Sequence, residues 1–368
     1  MPVAAYAFAI SFMMPILIGM AALWGGPWLL GPPIYGWFVT TILDRLIGHN
    51  ESNPDPLTSD RDLFWHRFVT WLWTPVQIGL IVGALWAAAN GHLSTREQIY
   101  LMIGVGIATG GVGITYAHEL IHSKNWWERK AGETILASVA YAHFTTEHLY
   151  NHHRYVATPK DPVTARYNEG FWVFFPRAVW GSAASAWRID ADRLRRRGRS
   201  VFGIANPWVR YMAMTGLFVA ASVYLLGWWG LCLFAIQAFV AILQLEAVNY
   251  VEHYGLTRKH LGGGKYEHTK PQHSWNASQS VTNLFLINLQ RHSDHHYKPD
   301  RRFPLLQTYS ESEAPQLPYG YPFMVLLAMM PPVWFRLMNK RVKAWRKRFY
   351  PEIGDWSLYK HGLTPMPD

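Results

Sequence analysis

Residues 118–122 read HELIH, and residues 147–153 read EHLYNHH. Two later segments have the same character, NYVEHYG at 249–255 and LQRHSDHH at 289–296. Each of them stands at the polar end of an apolar run. The pattern predicts a polyhistidine metal centre that draws its ligands from distant parts of the chain. The nine candidate ligands are His118, His122, His148, His152, His153, His253, His292, His295 and His296.

The spacing predicts which imidazoles share a helix face. His118 and His122 are four residues apart, which places them one turn from each other on a helix. His148 and His152 repeat that spacing, and His153 would lie about 100° around the same turn. Neutral imidazole binds iron, copper, zinc and nickel. Because nine ligands exceed what one ion accepts, at least two metal ions are predicted.

The rest of the chain predicts a membrane protein. Half of the 368 residues are hydrophobic and 15% are aromatic. A helix needs about 20 mostly apolar residues to cross a hydrocarbon core roughly 30 Å thick, and a soluble all-helical core could not cover several such runs with polar surface. We predict one all-α integral membrane domain, residues 1–368, with about six transmembrane helices at 4–30, 33–48, 64–89, 98–117, 207–226 and 231–248.

The charge distribution predicts the orientation of these helices. The loops near 25–32, 90–96 and 227–230 share one side and contain a single basic residue, Arg96. The opposite side receives 118–206 and 251–368, which include most of the basic residues. By the positive-inside tendency, that side is cytoplasmic, together with both termini and a cap that holds all nine histidines. The net charge of +10 is therefore attributed to loops beside a lipid bilayer and not to nucleic-acid binding.

Several cofactor motifs are absent from the sequence. The single cysteine, Cys232, excludes an internal disulfide, a CxxC pair and a cysteine-held iron–sulfur cluster. The glycine-rich run 104–113 contains no GxGxxG dinucleotide fingerprint. Gly106 and Gly110 instead match the small-xxx-small pattern that lets membrane helices approach closely.

Two other classes of metal protein remain open at this point. HELIH fits the HExxH motif of zinc proteases, with Glu119 as the base, but an intramembrane protease would leave six of the histidines unexplained. A metal carrier would place ionisable ligands along a path through the bilayer, whereas these cluster at one boundary. A dimetal site over an apolar cavity points to dioxygen activation on an apolar substrate.

Together, HELIH, EHLYNHH, NYVEHYGL and LQRHSDHH resemble the four signature motifs of the membrane-bound alkane 1-monooxygenases, and more distantly those of membrane fatty-acid desaturases and hydroxylases. The resemblance runs from about residue 40 to residue 340. The family's first motif usually ends Gly-His-Lys, whereas Ile121 and Ser123 flank His122 here. The second motif usually has glycine where Asn151 stands. No histidine of the motifs is missing.

The resemblance implies a non-haem diiron enzyme that uses O2 to hydroxylate the terminal methyl of medium-chain n-alkanes to 1-alcohols. Its two iron ions would be held by the nine histidines, without a carboxylate bridge and with the irons far apart. Electrons would come from rubredoxin, with rubredoxin reductase upstream, since the chain has no redox cofactor motif of its own. The resemblance also implies a multi-pass protein of the bacterial inner (plasma) membrane. A membrane fatty-acyl desaturase or hydroxylase is the enzymatic alternative.

Further residues are expected to surround the metal centre. Ligating imidazoles usually donate their other N–H to an acceptor. The candidates are Glu119, Glu147, Asp161, Glu246, Glu252 and Asp294, with His273 as a neighbour of the metals. His143 is expected to pack or hydrogen-bond nearby.

The partners suggest two more sets of residues. A small acidic electron donor would be attracted to the basic cytoplasmic face. Its candidate docking residues are Arg193, Arg195, Arg196, Arg301 and Arg302. An alkane has no polar handle, so the shape of an apolar channel must select it. Trp37 and Ile121 are expected to line that channel.

Overall fold

The computed structural model of the chain describes residues 2–356, so Met1 and the end of the predicted cytoplasmic segment, 357–368, lie outside the described residues. Within 2–356 the secondary structure is helical apart from isolated β-bridges, which confirms the predicted all-α class. The helices are α1 (Ala5–Trp24), α2 (31–47), α3 (Phe64–Ala89), α4 (Thr95–Ile121), α5 (Trp126–Ala137), α6 (144–155), α7 (Phe171–Arg196), α8 (Pro207–His253), α9 (Ser280–Phe285), α10 (His292–Tyr297), α11 (Tyr321–Ala328) and α12 (Pro331–Phe349). Short 3-10 turns lie at Gly26–Leu30, Pro271–His273 and Phe303–Leu305.

Four of these helices are long and apolar enough to cross a membrane, namely α1, α3, α4 and α8. The pair α11 and α12 would add a fifth span, but the two helices meet at a bend of 119°. The predicted span 33–48 falls in α2, which is short and contains a π-helical turn at Ile34–Val39. Among the described residues, four to five spans are therefore present, and the count of six stays a prediction.

Helix α8 contains a reversal of chain direction. Gly227 has φ of +59° and ψ of −141°, a conformation that only glycine adopts without strain. On one side of it, the Thr215 hydroxyl donates to the Ala137 carbonyl (3.0 Å), and on the other, the Gln237 amide donates to the adjacent Ser138 carbonyl (2.9 Å). The segment before Gly227 and the segment after it therefore contact two adjacent residues, Ala137 and Ser138. The helix folds back as a hairpin at the GWWG segment, where the sequence predicts a turn.

Helices α4 and α8 pack against each other closely. A Cβ added at Gly106 would lie 2.6 Å from Val240 Cβ, and one added at Gly110 would lie 2.6 Å from Ala241 Cα. The space between the helices therefore admits only hydrogen at these two positions. This confirms the predicted small-residue contact and fixes the register of the two helices that end in HELIH and in His253.

Candidate metal centre

Four elements bring the nine histidines to one end of the bundle. His118 lies in the last turn of α4 and His122 caps it, while His253 is the last residue of α8. The remaining six lie on α6 and α10, two short helices that cross beneath the ends of α4 and α8. They are His148, His152 and His153 on α6, and His292, His295 and His296 on α10.

The imidazoles form two groups, each suited to hold a metal ion. In each group, one ligand nitrogen from every residue lies within 4.8 Å of the others. The five-histidine cluster contains His118, His122, His148, His153 and His295. The four-histidine cluster contains His152, His253, His292 and His296.

The distances between ring nitrogens fit ligands around an ion. In the five-histidine cluster, the Nε2 atoms of His148 and His153 are 2.9 Å apart, and those of His122 and His148 are 3.0 Å apart. Two nitrogens that each lie about 2.1 Å from one ion, at a right angle, would be about 3.0 Å apart. Within the described residues, the Nε2 atom of His118 is buried with no hydrogen-bond partner, as expected of a nitrogen that faces a metal position.

The four-histidine cluster has the same spacing. The Nε2 atoms of His292 and His296 are 2.9 Å apart, and that of His292 is 3.2 Å from that of His253. His152 completes the cluster, with its Nε2 atom 3.2 Å from that of His296. The two clusters adjoin, because the rings of His153 and His296, one from each cluster, have centroids 4.7 Å apart.

The expected pairing of His148 with His152 is wrong. Residues His148–His152 form a π-helical turn, in which hydrogen bonds run from residue i to i+5. The wider turn aligns His148 with His153, five residues on, and directs His152 into the other cluster. The EHLYNHH segment therefore supplies both clusters, which helical spacing alone did not reveal.

Helix α10 also divides its histidines between the clusters. His292 and His296 are four residues apart on one face and belong to the four-histidine cluster, whereas His295 lies about 100° away and belongs to the other. Because α6 and α10 each contribute to both clusters, the two positions are held at a fixed separation.

Burial favours the neutral form of these imidazoles. Desolvation, followed by the charges of neighbouring imidazoles, lowers the pKa of the ligands on α6 and α10, namely His148, His153, His292, His295 and His296. Desolvation lowers the pKa of His122 to about 3. The neutral ring is the form that binds a metal, so the donor set is prepared for cations at neutral pH.

Asp161 orients one of the candidate ligands. Its Oδ2 atom lies 2.9 Å from Nδ1 of His152, which leaves Nε2 of that ring directed at the four-histidine cluster. The same carboxylate accepts hydrogen bonds from the Thr164 hydroxyl (2.6 Å) and from the backbone N–H of Val163 (3.1 Å). Such outer partners fix the tautomer and the plane of a ligating imidazole.

Glu252 occupies a different position from Asp161. Its Oε2 atom lies 3.2 Å from Nε2 of His292, the nitrogen that faces the cluster, and the Tyr321 side chain lies beside the same carboxylate. This carboxylate therefore stands among the ligand nitrogens of the four-histidine cluster and offers an oxygen donor there.

Glu119 and Asp294 bind residues other than imidazoles. Glu119 lies 3.7 Å from the Arg302 guanidinium and accepts from the backbone N–H of Phe303 at 3.2 Å. Asp294 accepts from Arg301 (2.5 Å) and, through its other partners, holds α10 in place. An HExxH protease needs its glutamate next to the metal-bound water, so the ion pair of Glu119 with arginine disfavours that interpretation.

The other predicted neighbours lie further from the ligand nitrogens. Glu147 accepts from the Asn151 amide at 3.1 Å, and Glu246 accepts from the Tyr141 hydroxyl at 2.8 Å. Nε2 of His273 lies 2.8 Å from the Tyr350 hydroxyl, so this ring belongs to neither cluster. His143 stacks on Trp208, with ring centroids 5.3 Å apart, as its packing role predicts.

An apolar cavity opens onto both clusters. It has a volume of about 30 Å³, and its walls include His118 and His148 from one cluster and His292 from the other. A second cavity of about 30 Å³ has two wall residues in common with it, Gly111 and Val248.

The predicted channel residues lie in different places. Trp37 lines the second cavity, far from the imidazoles, whereas Ile121 packs closely against Gly132 on α5. Sequence reasoning missed Gly111, at which an added Cβ would meet nothing within 4 Å. The pair of adjacent glycines at 110–111 was a usable signal, because only Gly110 is needed for the contact with α8.

A polar cavity of about 180 Å³ lies on the other side of the five-histidine cluster and reaches His122, which is only partly buried. Arg301 and Arg302 line it but are engaged with Asp294 and with the acidic residues around Glu119. The other predicted docking residues lie on α7, where Arg193 stacks on Tyr150 and Arg195 and Arg196 are exposed.

Comparison with known proteins agrees with this site. The family model described as Fatty acid desaturase matches residues 98–328, which include all nine histidines. Alkane 1-monooxygenase 2 of Pseudomonas aeruginosa is 38% identical over 326 residues, covering 87% of this chain and 85% of the relative. Alkane 1-monooxygenase 1 of the same organism is 38% identical over 323 residues, covering 86% and 84%. Alkane 1-monooxygenase of Acinetobacter baylyi is 38% identical over 344 residues, covering 91% and 83%. The chain therefore belongs to the fatty acid desaturase family, in the branch formed by the alkane 1-monooxygenases.

Proposed function

We propose that the protein hydroxylates the terminal methyl group of medium-chain n-alkanes to give 1-alcohols. The observation that carries this proposal is the apolar cavity, whose wall contains imidazoles from both histidine clusters. A substrate in that cavity has its end beside both candidate metal positions. The similarity to alkane 1-monooxygenases over most of the chain supports the same reaction.

Two iron ions are the proposed cofactors. The five-histidine and four-histidine clusters would each hold one ion, with Glu252 beside the second. Imidazole donors suit iron, although they suit zinc and copper as well, so the choice of iron rests on the family. Bound iron would supply dioxygen reduction, by which one oxygen atom enters the alkane C–H bond and the other leaves as water, at the expense of two electrons and two protons.

The protein's own contribution is a pair of apolar cavities that position the substrate by their shape and exclude water. An alkane offers no hydrogen-bonding group, so its position depends on the walls of the two adjoining cavities. Imidazoles line the cavity beside the clusters, and Trp37 lines the second cavity. A long chain that extends past Gly111, which lines both cavities, would present its terminal carbon to the clusters.

The two electrons are proposed to come from rubredoxin, reduced by rubredoxin reductase. The docking site is proposed over the polar cavity at His122, because that ring is a partly exposed member of the five-histidine cluster. Arg301 and Arg302 are held there in largely buried ion pairs, whereas the ion pairs of Lys124 with Asp300 and of Arg195 with Asp192 lie on the surface, so Lys124 and the exposed arginines of α7 are better placed to meet an acidic partner.

The protein is proposed to be a single domain of the bacterial inner membrane with six crossings. The hairpin at Gly227 divides α8 into two apolar halves, 207–226 and 228–253, and α2 would add a short crossing to those of α1, α3 and α4. This arrangement places the histidine clusters and the basic helices on one side, which the positive-inside tendency assigns to the cytoplasm.

The activity is tested by incubating the purified protein with alkanes of graded length, rubredoxin and its reductase under O2, followed by gas chromatography. We expect 1-alcohols from medium-chain alkanes, and their absence with an active electron supply would contradict the proposal. The second candidate, a fatty-acyl desaturase, is favoured by the name of the matching family model. It would convert an acyl chain to an alkene and leave alkanes unchanged, so the same chromatograms distinguish the two.

A further inference from the structure

A separate polar cavity lies behind the four-histidine cluster. Three arginines line it, namely Arg166, Arg258 and Arg346, from the segment after α6, the segment after α8 and helix α12. Its wall also includes threonine side chains and a carboxylate, Asp161. The cavity of about 30 Å³ is large enough for a small polar group.

Arg346 has no acceptor for most of its buried donors. The residue is 7% exposed, and among residues 2–356 its Nε and Nη2 atoms are buried without a hydrogen-bond partner. Removing a guanidinium from water without an acceptor or a counter-ion is costly. Such a group in a folded protein indicates a ligand that completes its hydrogen bonds.

Two aromatic rings contact the guanidinium of Arg346. Its central carbon lies 4.4 Å from the ring centroid of Tyr167 and 4.4 Å from that of Trp356. These cation–π contacts stabilise the charge, and they leave the Nε and Nη2 donors to form hydrogen bonds with a partner. A planar fork of this kind matches the oxygens of a phosphate or carboxylate.

The charge around the cavity favours an anion. Arg258 donates to the backbone carbonyls of Arg154 (2.9 Å), Val156 (3.2 Å) and Glu267 (2.8 Å), and the Glu267 carboxylate lies near enough to favour its charge. Asp161 is the one carboxylate that lines the cavity itself, and it is already engaged by His152, Thr164 and Val163. Within the lining, three positive groups therefore face one negative group.

We propose that this cavity binds a phosphate oxyanion, held in the plane of Arg346, with Arg166 and Arg258 providing the attractive field. Free phosphate and the phosphate of a phospholipid headgroup present the same oxygens, so either source fits the cavity. Asp161 lines the cavity and also contacts His152. A bound anion would therefore lie next to the carboxylate that orients this ligand of the four-histidine cluster. Anion binding at this cavity does not require the proposed hydroxylation of alkanes.

The experiment compares the thermal unfolding of the full chain in detergent with potassium phosphate and with potassium chloride at equal ionic strength. Phosphate is expected to raise the unfolding midpoint in a saturable manner. In Arg346→Gln the half-saturating concentration should rise at least about tenfold, because charge-assisted hydrogen bonds are lost. Arg341→Gln is the matched control, since Arg341 lies on the same helix and lines a different groove.

A second arm uses native mass spectrometry of the protein from nanodiscs that contain phosphatidylglycerol or only phosphatidylcholine. Retention of phosphatidylglycerol by the wild type and its loss in Arg346→Gln would identify a headgroup as the source, whereas saturation by inorganic phosphate alone identifies the free ion. If Arg346→Gln does not fold, Arg166→Gln is measured in its place. Equal effects of phosphate and chloride, together with no retained anionic lipid, would overturn the proposal.

Discussion

Among single residues, Asp161 has the most direct link to a candidate ligand. Its carboxylate lies 2.9 Å from Nδ1 of His152 and is fixed by two further donors. Asp161→Asn removes the charge while retaining the shape. We expect a loss of about 10- to 100-fold in iron affinity or activity, because the ring of His152 loses its orientation and part of its basicity. Iron titration of the apoprotein measures the effect.

The control for that substitution is Asp192→Asn. Asp192 is exposed and pairs only with Arg195 on the surface of α7, so its substitution should change iron affinity little. Equal affinities in Asp161→Asn and the wild type would remove Asp161 from the support of the metal centre.

Gly111 is the second residue with a specific expectation. Gly111 lines both apolar cavities, and a Cβ added there meets nothing within 4 Å, so valine would project into open space beside them. We expect kcat/KM for the longest accepted alkanes to fall at least about tenfold, with shorter alkanes less affected. Gas chromatography of products from a mixture of chain lengths gives the comparison directly.

Two other glycines provide controls for Gly111→Val. Gly79→Val introduces the same side chain into open space on α3 and should leave the length profile unchanged. Gly110→Ala should instead destabilise the protein by about 1–3 kcal/mol, because its Cβ would collide with the backbone of α8. A length profile in Gly111→Val that matches the wild type would show that substrate does not pass this point.

Individual ligands were largely predictable, whereas their partners were not. The histidine motifs identify the nine rings that the structure brings together, because residue type and spacing are visible in sequence. The assignment of each ring to a cluster depends on the π-helical turn at His148–His152, and no residue preference marks that turn. Acceptors such as Asp161 meet their imidazoles only through tertiary folding, so spacing could not separate Asp161 from Glu119.

At the scale of secondary-structure elements, the hairpin in α8 depends on Gly227. Its backbone angles are strained for any residue with a side chain, so Gly227→Ala should lower the free energy of unfolding by about 1–3 kcal/mol. Thermal unfolding in detergent measures the change. Gly216→Ala is the control, since Gly216 lies in the same helix with open space around it and should be neutral or slightly stabilised. Equal destabilisation of both variants would contradict a specific role for the reversal.

The loop 256–276 offers a prediction about pH. Although burial opposes its ionisation, hydrogen bonds from His273, the Lys259 backbone and Tyr350 lower the pKa of Glu267 to about 2, from an ordinary 4.5. The folded state thus binds a proton less readily than the unfolded chain. The resulting stability is present above pH 4.5 and is lost as pH falls from there towards 2.

Tyr350→Phe removes one of the hydrogen-bond donors to Glu267 and tests whether the stability from this carboxylate is lost as the pH falls. The variant should be less stable than the wild type by about 0.5–1.5 kcal/mol at pH 7, with a smaller difference at pH 3. Unfolding measured at both pH values gives the two differences. If the difference in the free energy of unfolding between the variant and the wild type grows as the pH falls, the lowered pKa of Glu267 is contradicted.

The structure agrees best with the predictions from sequence where the steric demand of a single residue determines the local geometry. The glycine contacts between α4 and α8 and the turn at Gly227 both follow from the steric demands of single residues. The span 33–48 agreed less well, because α2 is short and includes a π-helical turn that hydropathy does not record. Helix α4 continues past the apolar run 98–117 to Ile121, which confirms the predicted helical spacing of His118 and His122.

At the scale of the whole molecule, apolar and polar features are divided between two sides of the metal centre. The apolar cavities approach the clusters from within the bundle, whereas the polar cavity at His122 approaches from the outside. The proposed alkane and the proposed electron donor would therefore reach different imidazoles of the same centre without sharing a route. Sequence composition predicted both surfaces, but their opposition across the clusters is a property of the assembled fold.

The central claim is that two clusters of unequal size each hold one iron ion. Mössbauer spectroscopy of the purified chain reconstituted with ⁵⁷Fe, together with its iron content, tests this most directly. Five imidazoles on one side, and four imidazoles with a nearby carboxylate on the other, should give two distinct iron environments. We predict two quadrupole doublets of equal area and about two irons per chain, whereas one doublet at about one iron per chain would contradict the claim.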